Sequence, residues 1–140
     1  MNEAANIELV QEGYAKFGDG DIPGLLSLFW DGIRWQTPKV ENAPFTGDRS
    51  GLDSVKEFFA QLIDAEEFTR FEPLEFIAQD DKVVVLGEFA GTVKATGRSY
   101  ETEWVHMFHV RDGKIVEFKE FLDSAAMTKA FQKSAGAEAS

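Results

Sequence analysis

Residues 104–123 read WVHMFHVRDGKIVEFKEFLD. Aromatic and β-branched residues alternate with polar ones on both sides of Asp112-Gly113, the composition of two strands joined by a tight turn. The exception is His106, an imidazole between Val105 and Met107 in a strand that otherwise suits a core. The register across the turn decides whether Glu120 answers it. With a three-residue Arg111-Asp112-Gly113 loop and a glycine bulge, Val110 pairs with Lys114, His106 faces Phe118 and Trp104 faces Glu120. Trp104, His106, Phe108, Val110, Val116, Phe118, Glu120 and Leu122 then share one face. Val105, Met107, His109, Ile115, Glu117, Lys119 and Phe121 share the other. A two-residue Asp112-Gly113 loop sets Lys119 opposite His106 and moves Glu120 to the Val105 face. The first register separates apolar from charged residues better, and a buried face enforces such a separation. It makes His106 and Glu120 diagonal neighbours, about 7–8 Å apart at the backbone. Burial raises a carboxylate's pKa and a nearby imidazolium lowers it, so such a pair can hold one proton near neutral pH. The simpler alternative is a buried hydrogen-bonded pair that only satisfies polar demand.

Outward from this hairpin, the strand period extends back through Ser99 to Val110, Lys82 to Ala95 and Phe68 to Gln79. Turns fall at Thr96-Gly97 and Asp80-Asp81, and Pro73 marks a bend or an edge. Before Phe68 the period is helical. Ile7, Val10, Tyr14 and Phe17 define an amphipathic helix over about 3–18. GDGD ends it, with Gly18 or Gly20 at the left-handed cap position. Asp21 caps a short helix over IPGLLSLF, with Pro23 in its tolerant first turn. IRWQTP is a short strand and KVENAPFTGDRS a polar loop. Ser50-Gly51-Leu52-Asp53 resembles a capping box before a helix with Val55, Phe58, Phe59, Leu62 and Ile63 on its apolar face. Asp123 caps a last helix, SAAMTKAFQ, and a small-residue tail frays from about 133 to 140. Three helices with one strand among them, then an antiparallel meander and a final helix, make an α+β pattern. A curved sheet wrapped over the long helix forms a cone with an interior pocket. One domain over 1–140 is expected.

The 140 residues carry a formal charge of −11, thirteen phenylalanines, three tryptophans and no cysteine. Such a charge repels phosphate backbones and anionic lipid, so neither nucleic acid nor membrane is an expected partner. The absence of cysteine removes thiolate catalysis and thiolate metal sites. Two histidines on opposite faces do not make a metal site, and GDGD lacks the lysine and spacing of a phosphate loop. No metal or organic cofactor is expected. No apolar run approaches the roughly 20 residues of a membrane span. The N-terminus has no basic start and no continuous apolar run, so a cytoplasmic protein is expected.

YAKFGDGDIPGLLSLF, IRWQTP, the helix opening at SGLDSVKEFF and the closing VRDGKIVEFKEFLD together resemble the nuclear transport factor 2-like superfamily. The similarity is greatest to its SnoaL-like, ketosteroid-isomerase-related branch and runs from about Ile7 to Phe131. It implies a cone-shaped α+β barrel, an interior pocket and a homodimer formed through the sheet. In SnoaL-like polyketide cyclases an acidic residue on the last strand acts beside a histidine on the preceding one. Glu120 and His106 stand at those places, with glutamate in place of the usual aspartate. The steroid-isomerase base position holds Thr37, its oxyanion tyrosine aligns with Gly13, and its oxyanion aspartate falls at His106, so that chemistry is not expected. The Asp-Arg-Asp set of limonene-epoxide-hydrolase relatives is also missing from ETEWVHMFHV.

Glu120 and His106 are therefore the candidate catalytic pair. Tyr14, Trp35, Trp104, Phe108 and Phe118 are candidates for shaping a substrate cavity, although plain core packing would also explain them. Glu66-Glu67 and Asp80-Asp81 read as solvated turn charges, and Glu101 and Glu103 as exposed strand charges. Three functions fit: an enzyme moving protons on a small, largely apolar carbonyl or polycyclic compound, a noncatalytic small-ligand binder, or a dimeric interaction module whose cavity its own side chains fill.

Overall fold

The structure, a computed structural model, describes residues 2–133. The tail expected to fray lies, from residue 134 on, outside them. Helix α1 (Glu3–Gly18) begins at Asn2, whose side chain accepts the Ala5 amide, and ends before Gly20 at φ 75°. Helix α2 (Ile22–Leu26) is capped by Asp21 and stops sooner than IPGLLSLF suggests. Phe29 already belongs to strand β1 (Phe29–Gln36). A two-residue strand β2 (Arg49–Ser50) leads into α3 (Leu52–Ala65). No capping box forms there. Gly51 occupies the cap at φ 90°, a conformation suited to glycine, and its amide is tied to the Ile33 carbonyl of β1.

Strands β3 (Glu66–Gln79), β4 (Lys82–Val93), β5 (Ser99–Arg111) and β6 (Lys114–Leu122) follow, and α4 (Ser124–Phe131) is capped by Asp123 as expected. Among the described residues the strands form one curved, unclosed sheet in the order β2-β1-β6-β5-β4-β3. The β1–β6 contact is parallel and the others are antiparallel. Phe71 and Phe76 of β3, Val83, Val85 and Phe89 of β4, and Trp104 and Phe108 of β5 point toward the helices and build the core with Val10, Phe58 and Phe59.

The hairpin register differs from both sequence alternatives. The turn is the two-residue Asp112-Gly113, with both φ angles positive (52° and 74°), so Arg111 pairs with Lys114 and Val110 with Ile115. Such a turn matches the right-handed twist of the strands, which a three-residue loop need not do. A bulge at Val116 then adds one residue to β6, and His109 pairs with Glu117. That extra residue restores the inward phase of Phe118, Glu120 and Leu122 while letting Ile115 face in as well. His106 consequently lies directly opposite Glu120, not diagonal to it, and Trp104 lies opposite Leu122.

Candidate active site

The cone holds a cavity of about 90 Å³. Its wall is almost wholly aromatic and aliphatic, and the polar groups on it are few: Tyr14, Glu66, Tyr100, His106 and Glu120, with the indole of Trp35. Each reaches the wall for a local reason. Tyr14 sits on the inward stripe of α1, one turn past Val10. His106 and Tyr100 share the inward face of β5, where alternate residues point to one side. Glu120 is brought inward by the Val116 bulge.

Three of these groups form a chain. The Tyr14 hydroxyl lies 2.7 Å from His106 Nδ1, and His106 Nε2 lies 2.8 Å from Glu120 Oε2. Burial, and next the charge of Glu120, push the Tyr14 phenol well above its ordinary range, so it keeps its proton and can donate a hydrogen bond to Nδ1. In the neutral imidazole the ring hydrogen then sits on Nε2 and is donated to Glu120. His106 is 4 % exposed, and Trp104 stacks on its ring at 3.9 Å between centroids. The imidazole is thus fixed in place and its hydrogen bonds fix its tautomer.

Of the cavity-shaping candidates, Tyr14, Trp35, Phe108 and Phe118 lie on the wall, and Trp35 stacks on Phe118 at 3.9 Å. Trp104 stands one layer back, packed between His106 and Phe71. The buried Nε1 atoms of Trp35 and Trp104 have no hydrogen-bond partner among the described residues. Thr37, at the steroid-isomerase base position, uses its hydroxyl to clasp Gly47 through both backbone groups.

The sequence reading of two turn charges needs correction. Asp81 is not simply solvated, since its carboxylate lies 2.6 Å from His109 Nε2 and that bond holds it below the usual carboxylate range. Glu66 is 4 % exposed and accepts a hydrogen bond from the Tyr100 hydroxyl. Burial pushes its carboxyl from 4.5 up to about 7; the Tyr100 bond opposes the rise and the charge of Glu120 adds to it. Strand β3 starts at Glu66, two residues earlier than its first phenylalanine, and the two-residue period carries Glu66 to the Phe68 side.

A rise to about 7 makes a testable statement about stability. The folded protein binds more protons than the unfolded chain between about pH 4.5 and 7, so this contribution is complete below pH 4.5 and is lost as pH rises through 7. The difference corresponds to roughly 3 kcal/mol. Glu66→Gln is expected to flatten the fall in Tm between pH 5 and about 8, measured by thermal melts. A variant whose melting profile parallels that of the wild type over this range would contradict the placement of Glu66.

Glu66 also links the cavity to a second space. An outer groove of about 490 Å³ runs between the C-terminal end of α1, α2 and β3. Tyr14, Phe17, Glu66, Phe68 and Phe71 line both spaces and form the wall between them. Within this wall Glu66 is the carboxylate. Among the described residues no group of three or more His, Asp or Glu side chains is placed to hold a metal ion, and no helix is long and apolar enough to cross a membrane.

A curved sheet folded over helices around an apolar, sparsely polar cavity is the architecture of the nuclear transport factor 2-like proteins. Within them, the chain belongs to the SnoaL-like domain family, whose sequence profile matches residues 10–118. A nuclear transport factor 2-like protein from Burkholderia xenovorans LB400 is 32% identical to it, with a TM-score of 0.86 over 94% of this chain and 99% of that one. TerC, in a crystal structure with polyporic acid, is also 32% identical, with a TM-score of 0.82 over 91% of this chain and 98% of its own. A Mesorhizobium loti protein carrying the name SnoaL-like polyketide cyclase shares the fold at 19% identity, with a TM-score of 0.71 over 86% of this chain and 99% of that one. No curated protein matches the sequence.

Proposed function

We propose that this protein is an acid–base enzyme that moves a proton on a small, largely apolar carbonyl compound, with Glu120 as the base and His106 as the group that orients it. The observation that carries this reading is the Tyr14–His106–Glu120 chain ending at an apolar cavity. A carboxylate that accepts the imidazole Nε2–H in such a space is poised to take a hydrogen from carbon next to a carbonyl group. The co-crystallisation of TerC with polyporic acid supports an oxygen-bearing organic substrate here. The cavity is smaller than the engineered one of about 150 Å³ that takes benzene. A bicyclic substrate therefore requires the Phe17–Phe68–Phe71 wall to give way toward the groove. The protein needs no metal or organic cofactor for this step and works in the cytoplasm, with no nucleic-acid or membrane partner.

The test is hydrogen–deuterium exchange at the α-carbon of cyclopentanone and 2-indanone in D₂O, followed by NMR. The protein is expected to accelerate exchange, equally with and without chelator. Saturable binding of 2-indanone with no exchange above buffer would favour the noncatalytic binder, and exchange abolished by chelator would refute the metal-free mechanism.

The protein also acts as a homodimer in this reading. On the outer face of the sheet Ile77 and Phe121 are exposed, and Val84, Leu86, Val105 and Met107 between them are half-buried. A stable interface there should bury about 1,200 Å² or more. Light scattering at micromolar protein should return twice the chain mass of 15.6 kDa, and a monomer mass would refute the dimer.

A further inference from the structure

We infer that Glu66 is a second proton-carrying residue of the same site, donating to the oxygen of an enolisable carbonyl compound while Glu120 removes its α-hydrogen. This rests on the reading of Glu120 given above. The observations behind it are geometric. Glu66 is buried, lines the cavity that Glu120 and His106 line, and is held from one side by the Tyr100 hydroxyl on its Oε1. Its Oε2 takes no hydrogen bond from the described residues and is not among the sealed, unpartnered polar atoms, so it opens on accessible space at the wall. A carboxyl on so buried a residue, with one oxygen on a neutral phenol and no ion pair among the described residues, favours the protonated form, and its free oxygen is placed to give that proton to a ligand.

The groups facing Glu66 agree with a neutral acid. Tyr100 on β5 is itself pushed upward by burial and then by Glu66, so it remains a neutral donor. Glu120 of β6 adds negative charge across the cavity, and Tyr14 and His106 complete the polar wall. On the groove side Arg70 is engaged by Glu72, Glu88 and Glu101. The Lys94 ammonium is turned to the Ile63 carbonyl. The two carboxyl groups thus occupy unlike surroundings, one beside an imidazole N–H and one beside a phenol, which is how a site divides base from acid.

The proton balance closes without a co-reactant. The Glu120 carboxylate takes the α-hydrogen, the C–H electron pair becomes the enol double bond, and the carbonyl oxygen takes the proton of Glu66. The substrate is then an enol, Glu120 is protonated and Glu66 is a carboxylate. The Glu120 side chain is 17% exposed and exchanges this proton with solvent before one returns to the same or a conjugated carbon, and the enol proton going back to Glu66 restores the enzyme. Because Glu66 also lines the outer groove, it can exchange its proton with solvent while the cavity is filled.

The test uses the intact protein, Glu66→Gln and Tyr100→Phe. Infrared difference spectra should show a neutral carboxyl stretch in the wild type at pH 6 that disappears with a midpoint near 7 and is absent from Glu66→Gln. Tyr100→Phe removes a bond that favours the carboxylate and should move the midpoint upward. With 2-indanone, kcat/KM for exchange should fall above pH 7 in the wild type. Glu66→Gln should lower it roughly 10²-fold and remove that limb. A carboxyl midpoint in the ordinary range near 4.3, or a Glu66→Gln rate within about twofold of wild type, would overturn the inference. If Glu120→Gln abolishes exchange while Glu66→Gln does not, only this inference fails. If Glu120→Gln leaves exchange intact, the proposed function fails first.

Discussion

Glu120→Gln is expected to lower the rate of α-hydrogen exchange in 2-indanone by roughly 10²–10⁴-fold, the usual contribution of one positioned acid–base group. The amide has nearly the same volume and can still accept the His106 Nε2–H through its oxygen. It cannot take a proton from carbon. The fold should survive, because Glu120 sits at the cavity and no other protein group bonds its side chain among the described residues. Circular dichroism and a melting curve close to wild type would confirm that the loss is chemical. Exchange at the wild-type rate would remove Glu120 from the mechanism.

Gly87→Ala is expected to destabilise the protein by about 3 kcal/mol, at the upper end of overpacking penalties. Its Tm should fall by roughly 10 °C for a chain of this size. Gly87 pairs with Trp104 across β4 and β5, and the indole lies over it. A Cβ there would stand 2.3 Å from Trp104 Cζ2 and 2.5 Å from the Glu72 carbonyl oxygen of β3. Neither neighbour can retreat cheaply. The carbonyl belongs to the next strand, and Trp104 is 2% exposed with its other face stacked on His106. Thermal denaturation decides the matter, and a Tm within about 2 °C of wild type would show that the indole can move. If it moves, exchange should slow as well, because the imidazole loses the ring that holds it.

The hydrophobic period announced most of the fold. Four meander strands, the long first helix and the caps at Asp21 and Asp123 were all legible, because each rests on local chemistry. What escaped was non-local. The parallel pairing of β1 with β6 joins segments about 80 residues apart, and no pattern in either states it. The Val116 bulge was illegible for a related reason: a bulge is chosen by the fit of both faces after the turn has set the phase. The candidate site was legible in part. His106 and Glu120 stood out as ionisable groups in apolar company, whereas Glu66 was hidden by its neighbour Glu67 and by a strand start placed at Phe68. Counting two residues back from Phe68, and from Trp104 through Thr102 to Tyr100, would have found both members of the second pair.

The margins of the sheet bear on how the chain behaves at high concentration. One margin is β2, only two residues long. The other is β3, which is interrupted by Pro73 and by irregularities between Phe68 and Arg70 and between Pro73 and Glu75, with Glu67, Arg70, Glu72 and Glu75 exposed along it. Neither offers another chain a straight, uncharged row of amides and carbonyls, the template from which fibrils grow by strand addition. With a net charge of −11 as well, the rims of the described sheet are poor templates for amyloid-like strand addition.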